Sequence, residues 1–270
     1  MTTIVLGGDC STTTALAIAA GWPTSFDEAD LPMVVVEADP TGGSLAAWLD
    51  TPLNPSLSSV VTALRQADSS GATPTTTDSA VDALIRRSSS GVRFIPAPFR
   101  TREARGVIAE ADGAAFPLLS EREDLLALVE VGRLDPLRLP GALRSATFCL
   151  MVHRQDSSSA AAATVRLERL AETVAALGDT GRRVGLAVIG DAPFGLDEIV
   201  DFVAPSDGAW VLPVDPLSAA VLAGRSGVSA RRLARLPLMR STALIAADLH
   251  SVVTAHDTEP SRLRVGEDVG

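Results

Sequence analysis

The sequence predicts an α/β fold: a doubly wound, mostly parallel seven-stranded sheet with helices on both faces. Three observations predict it. Short β-branched runs alternate with helically spaced segments along the chain. The runs are apolar on both sides, as in MVVV at 33–36 and LLALV at 125–129, which suits strands covered by helices above and below. Between the first run and the first helix lies a glycine pair followed by Ser-Thr-Thr-Thr, the kind of turn that ends a parallel strand and opens a crossover helix.

In chain order, the expected strands are Thr3 to Leu6, Met33 to Glu37, Val92 to Ile95, Leu125 to Val131, Phe148 to Val152, Val184 to Ile189 and Trp210 to Leu212. Leu57, Val60, Val61 and Leu64, and later Val165, Leu167, Leu170 and Val174, have the spacing of one buried helix face. The stretch 67–79, ADSSGATPTTTDS, is rich in small polar residues and reads as an exposed loop. The alternation resumes after it, so residues 1–257 are expected to form one domain, with 258–270 a flexible acidic tail. Near the end, Arg231, Arg232, Arg235 and Arg240 mix with leucines around Pro237. A packed terminal helix pair with an arginine-rich solvent side is favoured there over peripheral attachment to a membrane.

With 270 residues and 46% hydrophobic content, the chain can bury a substantial core. Its formal net charge is −10 and it has no run of basic residues, which argues against nucleic acid as a partner. No apolar stretch reaches the roughly 18 residues of a membrane span, and the N-terminus lacks the pattern of a signal peptide; a cytoplasmic location is expected. Cys10 and Cys149 are too few and too far apart for a disulfide framework or a CxxC metal site. His153, His250 and His256 show no ligand spacing, so no metal site is assigned. GDAPFG at 190–195 lacks a dinucleotide pattern and reads as a turn.

The turn after the first strand places backbone N–H groups and a helix N-terminus at the carboxyl edge of the sheet, where phosphates bind. The segment LGGDCSTT, 6–13, resembles the deviant Walker A loop of the MinD/ParA family of P-loop ATPases, Lys-Gly-Gly-x-Gly-Lys-Thr-Thr. Gly7, Gly8, Thr12 and Thr13 keep their places; Leu6 stands at the first lysine, Asp9 at the variable position, Cys10 at the third glycine and Ser11 at the phosphate lysine. VVVEADPTGG is similar to the family's Asp-x-Asp-Pro strand end, with Glu37 and Asp39 at the two aspartates. LVEVGR resembles the Asp-x-Gly switch, with Glu130 at the aspartate and Gly132 retained, and LPVDP, with Pro213 and Asp215, resembles the segment that closes over the base. The base-reading asparagine is replaced by Gly190 or Asp191.

All 23 basic residues are arginines, so no lysine from elsewhere in the chain can replace the missing one. A loop lysine supplies charge-assisted hydrogen bonds worth roughly 1.5 to 3 kcal/mol, so its loss weakens phosphate binding by about tenfold to hundredfold. Asp9 adds a carboxylate, and Cys10 adds a Cβ where glycine reaches positive φ cheaply. Arg133, beside the switch-like glycine, is the nearest replacement by sequence.

The resemblance then implies a catalytically degenerate relative, with no catalytic residue assigned and a vestigial nucleotide site at Gly7, Gly8, Asp9, Cys10, Ser11, Thr12, Thr13, Glu37, Asp39, Glu130, Gly132, Pro213 and Asp215. No cofactor is expected beyond weak binding of ATP and Mg²⁺. The implied role is binding or scaffolding through a protein partner or homodimer, in cell organisation, positioning or assembly of a secretion- or pilus-type apparatus. One alternative is an active ATPase using arginine or partner groups; another is an enzyme acting on a different phosphate or acid with Glu37, Asp39 and Glu130.

Overall fold

The computed structural model describes residues 3–23, 31–155 and 159–258. Among them, eight strands form one sheet: β1 (Thr3–Gly8), β2 (Met33–Glu37), β3 (Arg86–Arg87), β4 (Arg93–Ile95), β5 (Leu126–Glu130), β6 (Phe148–Arg154), β7 (Arg183–Ile189) and β8 (Ala209–Leu212). Their order is β3-β4-β2-β5-β1-β6-β7-β8. All neighbours pair in parallel except β3 with β4. The seven expected strands are present. The eighth, β3, is two arginines long and antiparallel at the sheet edge, too short to carry any apolar alternation.

Period-two alternation sends successive residues of each strand to opposite layers. Val5, Val34, Val36, Ala127 and Val129 pack with α3 (Leu57–Ser70), α5 (Thr101–Ala111), α6 (Ala115–Glu121), α7 (Ala160–Gly178) and α8 (Leu196–Val203). Ile4, Leu6, Val35, Leu126 and Leu128 pack with α1 (Ser11–Ala20), α2 (Leu45–Trp48), α9 (Pro216–Leu222), α10 (Ala230–Leu233) and α11 (Pro237–Thr258). The helix α1 is apolar almost all round, as a helix covered on both sides must be. Ala15, Leu16, Ala17 and Ile18 are buried, and Thr242 of α11 reaches the Ala17 carbonyl from outside at 3.4 Å.

The loop expected at 67–79 is replaced by two helices joined by a three-residue turn. Helix α3 continues to Ser70 and ends on Gly71 in the left-handed region, φ 64°. Thr73 then caps α4 (Pro74–Asp82) by accepting from the Thr76 amide at 3.4 Å, with Pro74 at the first helical position. Ser69, Ser70 and Ser79 bond back to carbonyls of their own helices, which is how such residues are tolerated on an exposed helix.

Pro237 separates α10 from α11 by opening the latter, and Arg231, Arg232, Arg235 and Arg240 are exposed. Among the described residues, no helix is long and apolar enough to cross a membrane. Of the tail expected from 258 on, only Thr258, at the end of α11, belongs to the described residues. The side chain of His256, which falls within α11, is outside what is described.

Candidate functional site

The chain leaves β1 for β2 on one side and later returns to build β6 on the other, so the carboxyl end of β1 borders a crevice between oppositely running crossovers. There Gly8 has φ +116°, and a Cβ on it would collide with the Val152 carbonyl oxygen. The Gly8 amide donates to the Gly132 carbonyl and the Asp9 amide to the Val152 carbonyl, both at 2.8 Å. These bonds pin the loop to the ends of β5 and β6.

Cys10 is left-handed, φ 55° and ψ 25°, a conformation that favours glycine, and precedes α1 without a side-chain cap bond. The first α1 amide with a helical acceptor is that of Thr14, bonded to the Cys10 carbonyl at 3.1 Å. The amides before it are those a helix N-terminus leaves open.

Strand register aligns Leu6 with Glu130 and Glu130 with Glu37. Ser11, the first residue of α1, turns inward and donates from Oγ to Glu130 Oε1 at 2.5 Å. The Gly132 amide donates to the same oxygen at 3.0 Å. Glu130 Oε2 is buried with no hydrogen-bond partner among the described residues. Burial pushes this carboxyl up to about 7; Glu37 and Asp39 add to the rise, and the bonds from Ser11 and Gly132 oppose it.

Glu37 has a different environment. Its Oε1 accepts from the Ser44 amide at 2.6 Å, the Leu45 amide at 3.0 Å and Ser44 Oγ at 3.2 Å, and its Oε2 from the Ala97 amide at 2.9 Å. Burial raises its pKa and those four bonds counter the rise. Glu37 therefore ties the start of α2 to the end of β4. Asp39 accepts the Thr41 amide and hydroxyl, each at 2.7 Å. Its carboxylate packs so close to Gly132 (φ +66°) that a Cβ there would collide with it.

Asp9 turns outward. Its Oδ2 accepts from Arg166 Nη2 at 2.5 Å and from the Arg154 amide at 3.3 Å, and its Oδ1 lies 3.5 Å from Arg133 Nη2. His153 Nδ1 is 4.0 Å away; burial lowers the pKa of this imidazole, Arg166 adds to that, and Asp9 opposes it. Arg133 was the arginine expected from sequence, and it does reach the loop, with an exposed side chain. Sequence reasoning missed Arg154 and Arg166. Arg154 ends the strand beside β1 and was findable on that ground, whereas nothing in the spacing of α7 singles out Arg166.

The remaining expected residues sit apart. Pro213 and Asp215 follow β8, three strands from β1. Asp215 caps α9, accepting the Ser218 amide at 3.0 Å and its hydroxyl at 2.6 Å, and also receives the Leu238 amide at 3.2 Å. Burial would raise its pKa, but these bonds prevail and lower it. Pro213 lines an open cleft of about 940 Å³ with Gly190, Asp191, Val214, Arg240 and Leu244. The structure thus gathers Gly7 to Thr13, Glu130, Gly132 and Asp39, and sets Glu37 and Asp215 to hold secondary structure.

No protein-family model and no curated protein sequence matches the chain. Solved structures do. The ParA family ATPase from Chlorobium tepidum superposes with a TM-score of 0.64 at 13% identity, covering 91% of this chain and 97% of that one. MinD in the MinC:MinD cell division complex of Aquifex aeolicus gives 0.63 at 12% identity, covering 93% and 96%. The septum site-determining protein MinD of Pyrococcus horikoshii, solved with Mg-ADP, gives 0.62 at 16%, covering 94% and 98%. At these identities the likeness is one of architecture, and this chain has the fold of the ParA and MinD ATPases.

Proposed function

We propose that the chain is a binding or scaffolding protein of the ParA/MinD fold that does not turn over ATP. It would act in the cytoplasm, with residues 1–257 as one domain, in cell organisation, positioning or the assembly of a secretion- or pilus-type apparatus. The observation that carries this reading is the bond from Ser11 Oγ to buried Glu130. A hydroxyl committed inward stands where hydrolysis of a triphosphate needs a cation directed at the phosphates.

The residues present do not fit a magnesium triphosphate. The chain has no lysine, the loop carries its own carboxylate on Asp9, and Glu130, Asp39 and Glu37 crowd the same edge. The solved complex of MinD with MinC supports a protein partner as the binding mode, and a second copy of this chain is the other candidate. Titrating Mg-ATP into the purified protein while following heat and phosphate release tests the proposal. No turnover is expected; micromolar affinity with hydrolysis would overturn it.

A second reading, an ATPase that uses arginine, is favoured by the approach of Arg133 and Arg166 to the loop. It requires turnover that Arg166→Ala abolishes.

A further inference from the structure

Beside the loop lies an open cavity of about 460 Å³, lined by residues 8–10 and by Arg133, Arg154, Gln155 and Arg166; Ser11, Thr12 and Thr13 do not line it. Its cationic groups come from the residue after Gly132, from the end of β6 and from α7, outside the loop itself. Among the described residues that line it, three arginines stand with one carboxylate, so this lining is cationic in a chain whose net charge is −10. Such a concentration of guanidinium suits planar or tetrahedral oxyanions.

The carboxylate already there is Asp9. It accepts one guanidinium and one backbone amide and lies 3.5 Å from a second guanidinium. The Arg154 guanidinium has no hydrogen-bond or ion-pair partner among the described residues. Gln155 is occupied elsewhere: its amide nitrogen donates to the Gly190 and Phe194 carbonyls and its oxygen accepts the Phe194 amide. The cavity wall is thereby fixed to the 190–194 turn.

We propose that this cavity binds a small oxyanion, a phosphate or carboxylate group, and that Asp9 is its internal occupant, holding the guanidinium groups in place until the oxygens of the ligand replace its own. A dianion offers the same acceptors as Asp9 with greater charge, and Arg154, which also lines the cavity, is the further cation available to it. The inference deepens the reading above, from which it takes the loop to be a binding element rather than a hydrolytic one.

The test is calorimetric titration of the full-length chain at low salt with inorganic phosphate and, separately, with succinate. Asp9→Asn removes the competing charge at constant size and is expected to tighten binding roughly tenfold or more. Arg154→Gln, which removes no side-chain hydrogen bond or ion pair seen among the described residues, is expected to weaken it, and added sodium chloride should weaken binding in all three proteins. Phosphate-only binding assigns a phosphate ligand and succinate-only binding a carboxylate; either supports the site. An Asp9→Asn protein that melts like the wild type yet binds neither probe more tightly would overturn the proposal, as would the absence of saturable heat with both. Phosphate release from ATP, followed on the same samples, separates the two readings: turnover overturns the non-hydrolytic role and leaves the response to Asp9→Asn as the measure of this site.

Discussion

Glu130→Gln should flatten the dependence of stability on pH. Glu130 is 0% exposed, and burial, reinforced by Glu37 and Asp39, raises its carboxyl pKa from 4.5 to about 7. The folded chain therefore holds this proton more tightly than the unfolded chain. The stability so contributed is fully present below pH 4.5, declines as pH rises and is lost above about 7. At about 1.4 kcal/mol per pH unit the full span is worth about 3.5 kcal/mol, of which about 2.5 falls between about pH 5 and about pH 8. Glutamine preserves the shape and the acceptor for Ser11 and Gly132. Its amide nitrogen, placed where Oε2 has no partner, costs about 1 to 3 kcal/mol at every pH and cancels when one protein is compared at two pH values. Relief of the repulsion on Glu37 acts in the same direction as the main effect. Urea unfolding at the two pH values measures it: the wild type should lose about 2.5 kcal/mol more than the variant. Equal losses would refute the assignment of Glu130 as a buried acid that ionises near neutrality.

Two further outcomes follow from the cysteines. Cys10→Gly relieves a left-handed residue at φ 55° and should raise stability by about 1 kcal/mol in the same urea assay; a loss would mean that the Cys10 side chain contributes packing. Cys10 is exposed while burial pushes the Cys149 thiol up to about 12, so a thiol reagent at about pH 8 should titrate one cysteine in the native protein and both in urea.

The strands were legible because both layers of the sheet draw on alternate residues of the same apolar runs, so MVVVE and LALVE could only be central. The strand β3 was illegible for the opposite reason: Arg86 and Arg87 form a ribbon held by backbone pairing to Arg93 and Phe94, which needs no apolar pattern. In 67–79, composition pointed to a loop, yet the caps were readable. Gly71 and the Thr73-Pro74 pair are stop and start signals three residues apart.

At the site, the motif matches singled out the loop, Glu130 and Gly132, which the fold brings together, but motif positions do not state which way a side chain turns. Glu37 and Glu130 look equivalent in sequence. Their difference lies in the amides of Ser44, Leu45 and Ala97, which only the fold brings to one of them.

That asymmetry decides what the loop can hold. Glu37 shares four donors between both its oxygens, whereas Glu130 has two, both on Oε1. A lysine at position 11 would place an ammonium group where it could neutralise Glu130; serine offers one hydroxyl and no charge, so the acid binds its proton until about pH 7. The positive charge missing from the inner side of the loop is found on its outer side, where Arg133, Arg154 and Arg166 line one cavity with Asp9. An anion arriving at this edge therefore meets acids behind the loop and guanidinium groups in front of it. Favourable charge for binding thus lies outside the position from which a P-loop lysine acts on a transferring phosphoryl group, the arrangement on which the proposal of recognition without hydrolysis rests.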